Sequence, residues 1–359
     1  MLTSLHRNLL VCTLVIGATI LAVGECKAIS CVVIATVTGK PGEWQAVRVS
    51  SHSQIRRDLG RVEFYGCTHS RLVTVADAPG GLHIRAWSLP RLRILGKATI
   101  PHLIVLRTIK PSLYKMVAVS AGERRFLFPA VRVGKRRWSQ VLIGGGNNLT
   151  SQEVKIPHHP ALWNTFAFSV TPMGVGAIVY FPRTRTGYFC RFPNFSFGKE
   201  LRLPEARVKL FYIPGYGAAC ISRGGQLSRI TNARLQPVTA RPFTIGLRGI
   251  IAAKGILVHG HSRIVVLGRV RAAGSGRPIS SAILVVSINS HRVVLRKAFR
   301  FRAARSLGVS RDGKTLSIID TTACQVILYD LVGGVEHRYP LGGEGQDCSE
   351  DRVLGVWQK

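Results

Sequence analysis

Closely grouped basic side chains are the residues of this chain whose type and spacing could do chemistry. Arg56-Arg57 with Arg61, Arg124-Arg125, Lys135-Arg136-Arg137-Trp138, and Arg296-Lys297 with Arg300, Arg302 and Arg305 each bring several cations together. A guanidinium presents its donors in a planar fork that engages two oxygens at once, so such groups suit phosphate and carboxylate. The competing reading is a set of solvated faces with no ligand. In Ala298-Phe299-Arg300-Phe301-Arg302 the alternation also fits a half-buried strand with an apolar inner and a charged outer side.

Histidine offers a second chemistry. His259-Gly260-His261 would place two imidazoles on one side of an extended segment, with His291 on a neighbouring strand, and paired neutral imidazoles can hold a transition metal. The intervening glycine reads more simply as a hairpin turn, and no acidic ligand lies nearby in sequence, so no metal site is expected. The sequence contains no G-x-S-x-G elbow, no H-E-x-x-H pair, no phosphate-binding loop and no calcium loop. Gly144-Gly145-Gly146-Asn147-Asn148 reads as a loop rather than a phosphate cradle. No cofactor is expected from these residues. Asn148-Leu149-Thr150 and Asn194-Phe195-Ser196 match a glycosylation pattern that matters only in a eukaryotic secretory route.

Charge is extreme and unevenly placed. The 359 residues hold 50 Lys and Arg against 17 Asp and Glu, for a net charge of +33. No acidic residue occurs between Glu205 and Asp312, whereas Asp312, Asp320, Asp330, Glu336, Glu344, Asp347, Glu350 and Asp351 crowd the end. Such a field draws polyanions and speeds their encounter, but says nothing of fold.

Residues 1–28 read as a secretory signal peptide: Arg7 stands in a short polar start, Leu9 to Val23 is mostly apolar, and Cys26-Lys27-Ala28 ends on a small residue suited to cleavage. The apolar run is short for a membrane span, and no other stretch is long enough, so the mature part should carry no transmembrane segment. Export to the periplasm or beyond removes intracellular nucleic acid as a partner. It leaves lipid phosphate, acidic polysaccharide or an acidic protein.

Beyond that segment six cysteines remain: Cys31, Cys67, Cys190, Cys220, Cys324 and Cys348. An exported chain permits disulfides, and short separation favours Cys190 with Cys220 and Cys324 with Cys348, leaving Cys31 with Cys67. Buried free thiols are the alternative. No C-x-x-C spacing suggests a zinc or thioredoxin-like site.

The elements that must position these groups read as short strands. Arg61–Tyr65, Arg71–Val75, Leu82–Trp87 and Leu92–Leu95 follow one another with Pro79-Gly80-Gly81 and Leu89-Pro90 as punctuation. Similar quartets can be drawn from Tyr114 to Ile143, Thr165 to Leu203, Val208 to Ile245 and Gly249 to Leu295. No long segment has the three-and-four spacing of a helical domain. The sharpest pattern runs from Val309-Ser310-Arg311-Asp312-Gly313-Lys314 through Thr315–Asp320 and Gln325–Asp330 to Glu336–Leu341, with the tight turn expected at Asp312-Gly313.

Residues 305–341 thus resemble a blade of the YVTN-type and quinoprotein-like β-propellers. The resemblance implies an all-β propeller. Six quartets leave Ile29–Val37, Trp44–Val49 and Val353–Trp357 over, and joining strands from both ends would close a seventh, composite blade. A pair of β-sandwiches is the rival fold. The expected organisation is a signal peptide over 1–28 and one propeller domain over 29–359. Relatives implied by the resemblance include the heavy subunit of methylamine dehydrogenase and propeller lactonases, although none of their functional residues maps onto a position here. The recurring Trp-ending motif of pyrroloquinoline quinoproteins is absent. The expected function is therefore a non-enzymatic exported scaffold whose basic surface holds an anionic envelope component or acidic protein, with a propeller enzyme or enzyme subunit as the alternative.

Overall fold

A computed structural model describes residues 31–38, 42–50, 53–105, 117–120, 125–133, 138–146, 148–155, 169–173, 176–181, 184–205, 208–222, 225–231, 234–238, 247–271, 278–299, 303–341 and 348–357. The expected signal peptide, Arg124, Lys135, Arg136, Arg137, Arg300 and Arg302 lie outside the described residues. No helix occurs among the described residues, and hence none long and apolar enough to cross a membrane.

Seven small antiparallel sheets stand in a ring, and the protein is a seven-bladed β-propeller. Strands β1 (Cys31–Val37), β2 (Glu43–Ser50) and β3 (Gln54–Arg61) join β29 (Arg352–Trp357) from the other end of the chain, in the order β29-β1-β2-β3. This is the composite closing blade expected from the leftover strands. The second blade is β4 (Phe64–Cys67), β5 (Arg71–Ala78), β6 (Gly81–Ser88) and β7 (Ile94–Pro101). In the third, β8 (Leu103–Ile104) and β9 (Ala118–Val119) pair with opposite ends of β10 (Phe126–Val133), which continues to β11 (Trp138–Gly145) and β12 (Ser151–Val154). That quartet runs past Ile143, where the sequence reading ended it, because β11 extends through Gly144 and Gly145 rather than breaking into a loop there.

The fourth blade is β13 (Ser169–Pro172), β14 (Gly176–Phe181), β15 (Thr186–Arg191) and β16 (Ser196–Arg202). The fifth is β17 (Lys209–Ile213), β18 (Gly217–Ile221), β19 (Leu227–Thr231) and β20 (Arg234–Pro237). The sixth is β21 (Leu247–Val258), β22 (His261–Arg271), β23 (Pro278–Ser287) and β24 (Val293–Phe299). The seventh is β25 (Ala304–Val309), β26 (Thr315–Asp320), β27 (Gln325–Asp330) and β28 (Glu336–Pro340).

Every core cluster lies between two neighbouring blades, and this explains the sequence pattern. Val33 and Ala35 of β1 pack with Tyr65, Leu72 and Trp87 of the second blade, while Val32 and Ile34 pack with Ile319, Val326 and Leu328 of the seventh. Successive side chains of a strand point to opposite faces, so a strand buried on both faces is mostly apolar. Each such Val or Ile contributes roughly 1.5–3 kcal/mol by its burial. Outer strands differ, because one side of the sheet ends there: β3 is mostly exposed until Leu59, and β7 and β24 alternate exposed with half-buried positions.

The Asp-Gly turn forms a hairpin, although not the two-residue one expected. Gly313 N donates to Ser310 O at 3.0 Å, and Ser310 N donates to Thr315 O at 2.9 Å, so Ser310 to Lys314 all belong to the loop. Only Gly313 takes a positive φ, at 73°, while Asp312 accepts from Ser310 Oγ at 2.6 Å and from Lys314 N at 3.1 Å. The two-residue turn with positive φ at both positions is His259-Gly260, at 49° and 77°, closing β21 onto β22. Asp320 and Asp330 end their strands by accepting from the backbone N–H of Thr322 and Val332, both at 2.9 Å.

Cys324 and Cys348 form a disulfide, as short separation suggested. The other two pairings are corrected: Cys31 is not bonded to Cys67, nor Cys190 to Cys220. Cys190 and Cys220 sit in different inter-blade clusters, so their proximity in sequence does not bring the thiols together. Burial pushes both thiols up to about 12.

Candidate active site

The first strand of each blade borders the propeller axis, and five of these inner strands enclose a cavity of about 620 Å³. Tyr65 of β4, Lys209 and Tyr212 of β17, Lys254 of β21, Ser306 of β25 and Arg352 of β29 supply its polar wall. Among the described residues no carboxylate lines it. Local sequence explains how the strands approach so closely. A side chain at Gly255 would run into the Tyr212 carbonyl and the Ile213 backbone, so glycine lets β21 lie against β17.

Ser306 is the extra residue of a β-bulge between Arg305 and Leu307, with φ at +54°. Such backbone costs about 1–3 kcal/mol and persists where surrounding contacts fix it. Here the fixing contact crosses from the seventh blade to the composite one: Val353 N donates to Ser306 Oγ at 2.9 Å. Cys67 Sγ likewise donates to Leu354 O at 3.2 Å, tying β4 to β29.

Arg352 is held by the turn that precedes it. Its Nη1 donates to Asp351 O at 2.8 Å and to Ser349 O at 3.4 Å, and its Nη2 lies 3.3 Å from Glu350 Oε2. Lys209 opens into the water of the cavity, yet the surrounding walls strip much of its hydration, and this lowers its pKa below the usual lysine value. Tyr65 is buried and its phenol is pushed well above the usual tyrosine range, first by burial and then by Cys67, with Arg352 pulling the other way. A basic side chain with a lowered pKa lining the same cavity as a fixed cation is an arrangement able to move a proton near a site of developing negative charge.

The sequence reading missed all six of these residues. Lys209 and Arg352 are the single bases of the first strands β17 and β29, and Lys254 shares the first strand β21 with Arg248, in Val208-Lys209-Leu210, Ala253-Lys254-Gly255 and Asp351-Arg352-Val353. That repeated placement was the available signal, whereas attention to dense clusters pointed elsewhere. Arg56, Arg57 and Arg61 lie on β3, and Arg61 Nε bonds Glu63 Oε1 at 3.1 Å. Arg296 and Lys297 lie on β24, where Lys297 Nζ stands 5.4 Å from the centre of the Tyr329 ring. Arg305 is exposed on β25, Arg125 is half-buried just before β10, and Trp138 begins β11. These described residues lie on β3, β10, β11, β24 and β25 or beside them. Several sit on outer strands, where charge protects an open sheet edge from pairing with another chain. His259 sits in the β21–β22 turn, His261 begins β22 and His291 follows the turn after β23, and among the described residues no group of three or more His, Cys, Asp and Glu is placed to hold a metal.

No protein-family model and no curated protein sequence matches the chain. Solved propellers do. A periplasmic gluconolactonase of Pseudomonas aeruginosa superposes with a TM-score of 0.53 at 14% identity, over 88% of this chain and 97% of its own. A Lactobacillus plantarum protein gives a TM-score of 0.53 at 13% identity, over 92% and 99%. A Bacteroides fragilis protein named as a candidate 6-phosphogluconolactonase gives 0.51 at 11% identity, over 94% and 99%. At these identities the likeness is one of fold.

The expectation of a non-enzymatic scaffold with a basic binding surface is corrected, because propellers similar to this one bear enzyme names. Among the described residues, Lys209, Lys254 and Arg352 line the cavity.

Proposed function

We propose that this protein is a propeller hydrolase that opens the ring of a sugar lactone in its central cavity. The observation that carries the reading is the convergence of Lys209, Lys254, Arg352, Tyr65 and Ser306, one from each of five inner strands, on a single cavity. The named activity of the Pseudomonas aeruginosa gluconolactonase, which has a similar fold, supports the substrate class. The resemblance of residues 305–341 to a YVTN-type blade fits the same group of propellers.

Lactone hydrolysis needs a water activated by a base, a cation for the oxyanion and a proton for the departing ring oxygen. In its neutral form Lys209 takes the proton from the attacking water, and the lowered pKa raises the fraction able to do so. Arg352 faces the carbonyl oxygen as charge develops on it. The ring C–O bond then breaks, the ring oxygen receives the proton held by Lys209, and the product leaves as a hydroxy acid that ionises in water. Lys254 favours retention of the lactone's oxygen-rich face. We infer further that the reaction takes place outside the cytoplasm. The Cys324–Cys348 disulfide and the periplasmic location in the neighbour's name support this, as does the signal-peptide pattern of residues 1–28.

The test is a pH-stat assay of glucono-lactone opening, corrected for uncatalysed hydrolysis, with Arg352→Ala and Lys209→Ala beside the parent protein. Parent activity that falls in both variants, with melting temperatures little changed, is the expected result. Rates no better than buffer for the parent protein across neutral and phosphorylated sugar lactones would overturn the reading.

A further inference from the structure

We propose that the Cys324–Cys348 disulfide is a positioning device for Arg352, so that the cationic wall of the cavity depends on the redox state of a bond outside it. The inference rests on the proposed active site for its consequence but on separate contacts for its geometry.

Arg352 is the fourth residue after Cys348, and the chain between them is a closed turn: Asp351 N donates to Cys348 O at 3.2 Å. The guanidinium folds back on that turn, bonding Ser349 O, Glu350 Oε2 and Asp351 O. Three bonds to consecutive residues hold the fork only if the turn itself is held. Its anchor is Cys348, fully buried in the apolar wedge between the composite and seventh blades with Val32, Val49, Ile319 and Val326. The disulfide fastens that anchor to Cys324, in the β26–β27 turn, whose carbonyl also accepts from Leu341 N at 2.9 Å. Arg352 is only 20% exposed at its side chain and Glu350 34%, so few waters compete for the fork.

Chemistry gives the switch its balance. A dithiol reductant transfers two electrons and two protons, cleaving the Cys324–Cys348 bond to two thiols while the reductant closes to its own cyclic disulfide. The turn then keeps its apolar packing but loses the covalent tie to the neighbouring blade. With that tie gone Arg352 samples orientations away from the cavity, and Glu350 follows it as a partner rather than a fixed point.

Arginine modification tests the geometry without any assumption about activity. The intact protein is treated with phenylglyoxal, and adducts are mapped by peptide mass spectrometry before and after reduction by dithiothreitol with thiol capping. Arg202, 90% exposed at its side chain, is the internal reference. The expected result is at least tenfold faster modification of Arg352 after reduction, relative to Arg202, at a temperature where circular dichroism is unchanged. The Cys324→Ser, Cys348→Ser double variant should react like the reduced protein. An unchanged Arg352 rate in both would overturn the inference. On the activity side, reduction should lower kcat/KM for glucono-lactone about tenfold in the parent and leave Arg352→Ala unaffected, since a staple acting through Arg352 has nothing left to position. An equal loss in both backgrounds would show the disulfide to be structural only and would also overturn it. If disulfide-dependent protection of Arg352 is found without lactone turnover, the function proposed above fails while the positioning device stands.

Discussion

The seventh blade and the arc of inner strands around the cavity share β25, yet they are built on opposite principles. In the blade, β26 is buried throughout and β27 at its four central positions, and their ends are fixed by side chains within a few residues: Ser310 with Asp312, Asp320 with its own turn, Asp330 with Val332. In the arc, the contacts that matter join residues far apart in sequence. Ser306 meets Val353, Cys67 meets Leu354, and Gly255 lies against Tyr212. Local contacts give a stable and readable scaffold, while remote contacts bring charges together that local folding would keep apart.

If that division holds, damage to the arc should remove activity and spare the fold. Arg352→Ala is the largest effect: loss of one fixed donor to an oxyanion lowers kcat by roughly a hundredfold to a thousandfold, or about 3–4 kcal/mol. Steady-state kinetics with the parent Tm nearly kept is the expected outcome. A comparable fall in Tm instead would mean that Arg352 is mainly structural, and the contrast between the two regions would collapse.

Damage to the blade should do the reverse. Gly313→Ala puts a side chain at φ +73° and its Cβ 2.6 Å from Val258 Cγ2 of the sixth blade. A non-glycine residue in the left-handed region costs about 1–2 kcal/mol before any displacement of Val258. Urea unfolding should show a lower midpoint with an unchanged slope, and lactone kinetics below the transition should match the parent. Asp312→Ala is milder. It removes the acceptor for Ser310 Oγ and Lys314 N, so the expected loss is about 1 kcal/mol by the same measurement.

The same contrast explains what could be read from the sequence. Val309–Leu341 announced its blade because turn chemistry and two-faced burial are written in adjacent residues. The composite blade was legible from leftover strands at both ends, since a ring leaves no edge for them to occupy alone. The turn at Asp312 was placed correctly but sized wrongly, because the loop is closed by Ser310, whose N–H bonds Thr315 O and whose hydroxyl bonds Asp312, and the Asp-Gly pair alone does not announce those bonds. Thiol pairing failed at Cys190 and Cys220 for a similar reason: inter-blade clusters, not chain separation, decide which side chains meet. The cavity was illegible because Lys209, Lys254 and Arg352 look ordinary one at a time. Their significance comes from ring closure, which sets them on one wall.

The smallest effect is also the one that separates a base from a mere cation at Lys209. Its pKa in the folded protein is lowered from 10.5 because burial disfavours the charged form. Between that lowered value and 10.5 the unfolded chain therefore holds a proton that the folded chain does not, so this residue makes stability rise with pH across the window. At lower pH both states are protonated and the folded one carries the full desolvation cost. Lys209→Met should thus be relatively stabilising near neutrality, by an amount that shrinks as pH climbs toward 10.5, measured by denaturant midpoints along a pH series. Catalysis should move in the opposite sense for a base. The parent kcat/KM should rise with pH through the lowered Lys209 value, and Lys209→Arg, which keeps a positive charge but cannot give up its proton, should lose both that rise and most of the rate. If Lys209→Arg retains the parent profile, Lys209 acts only through its charge, and the proton must be taken by another member of the wall.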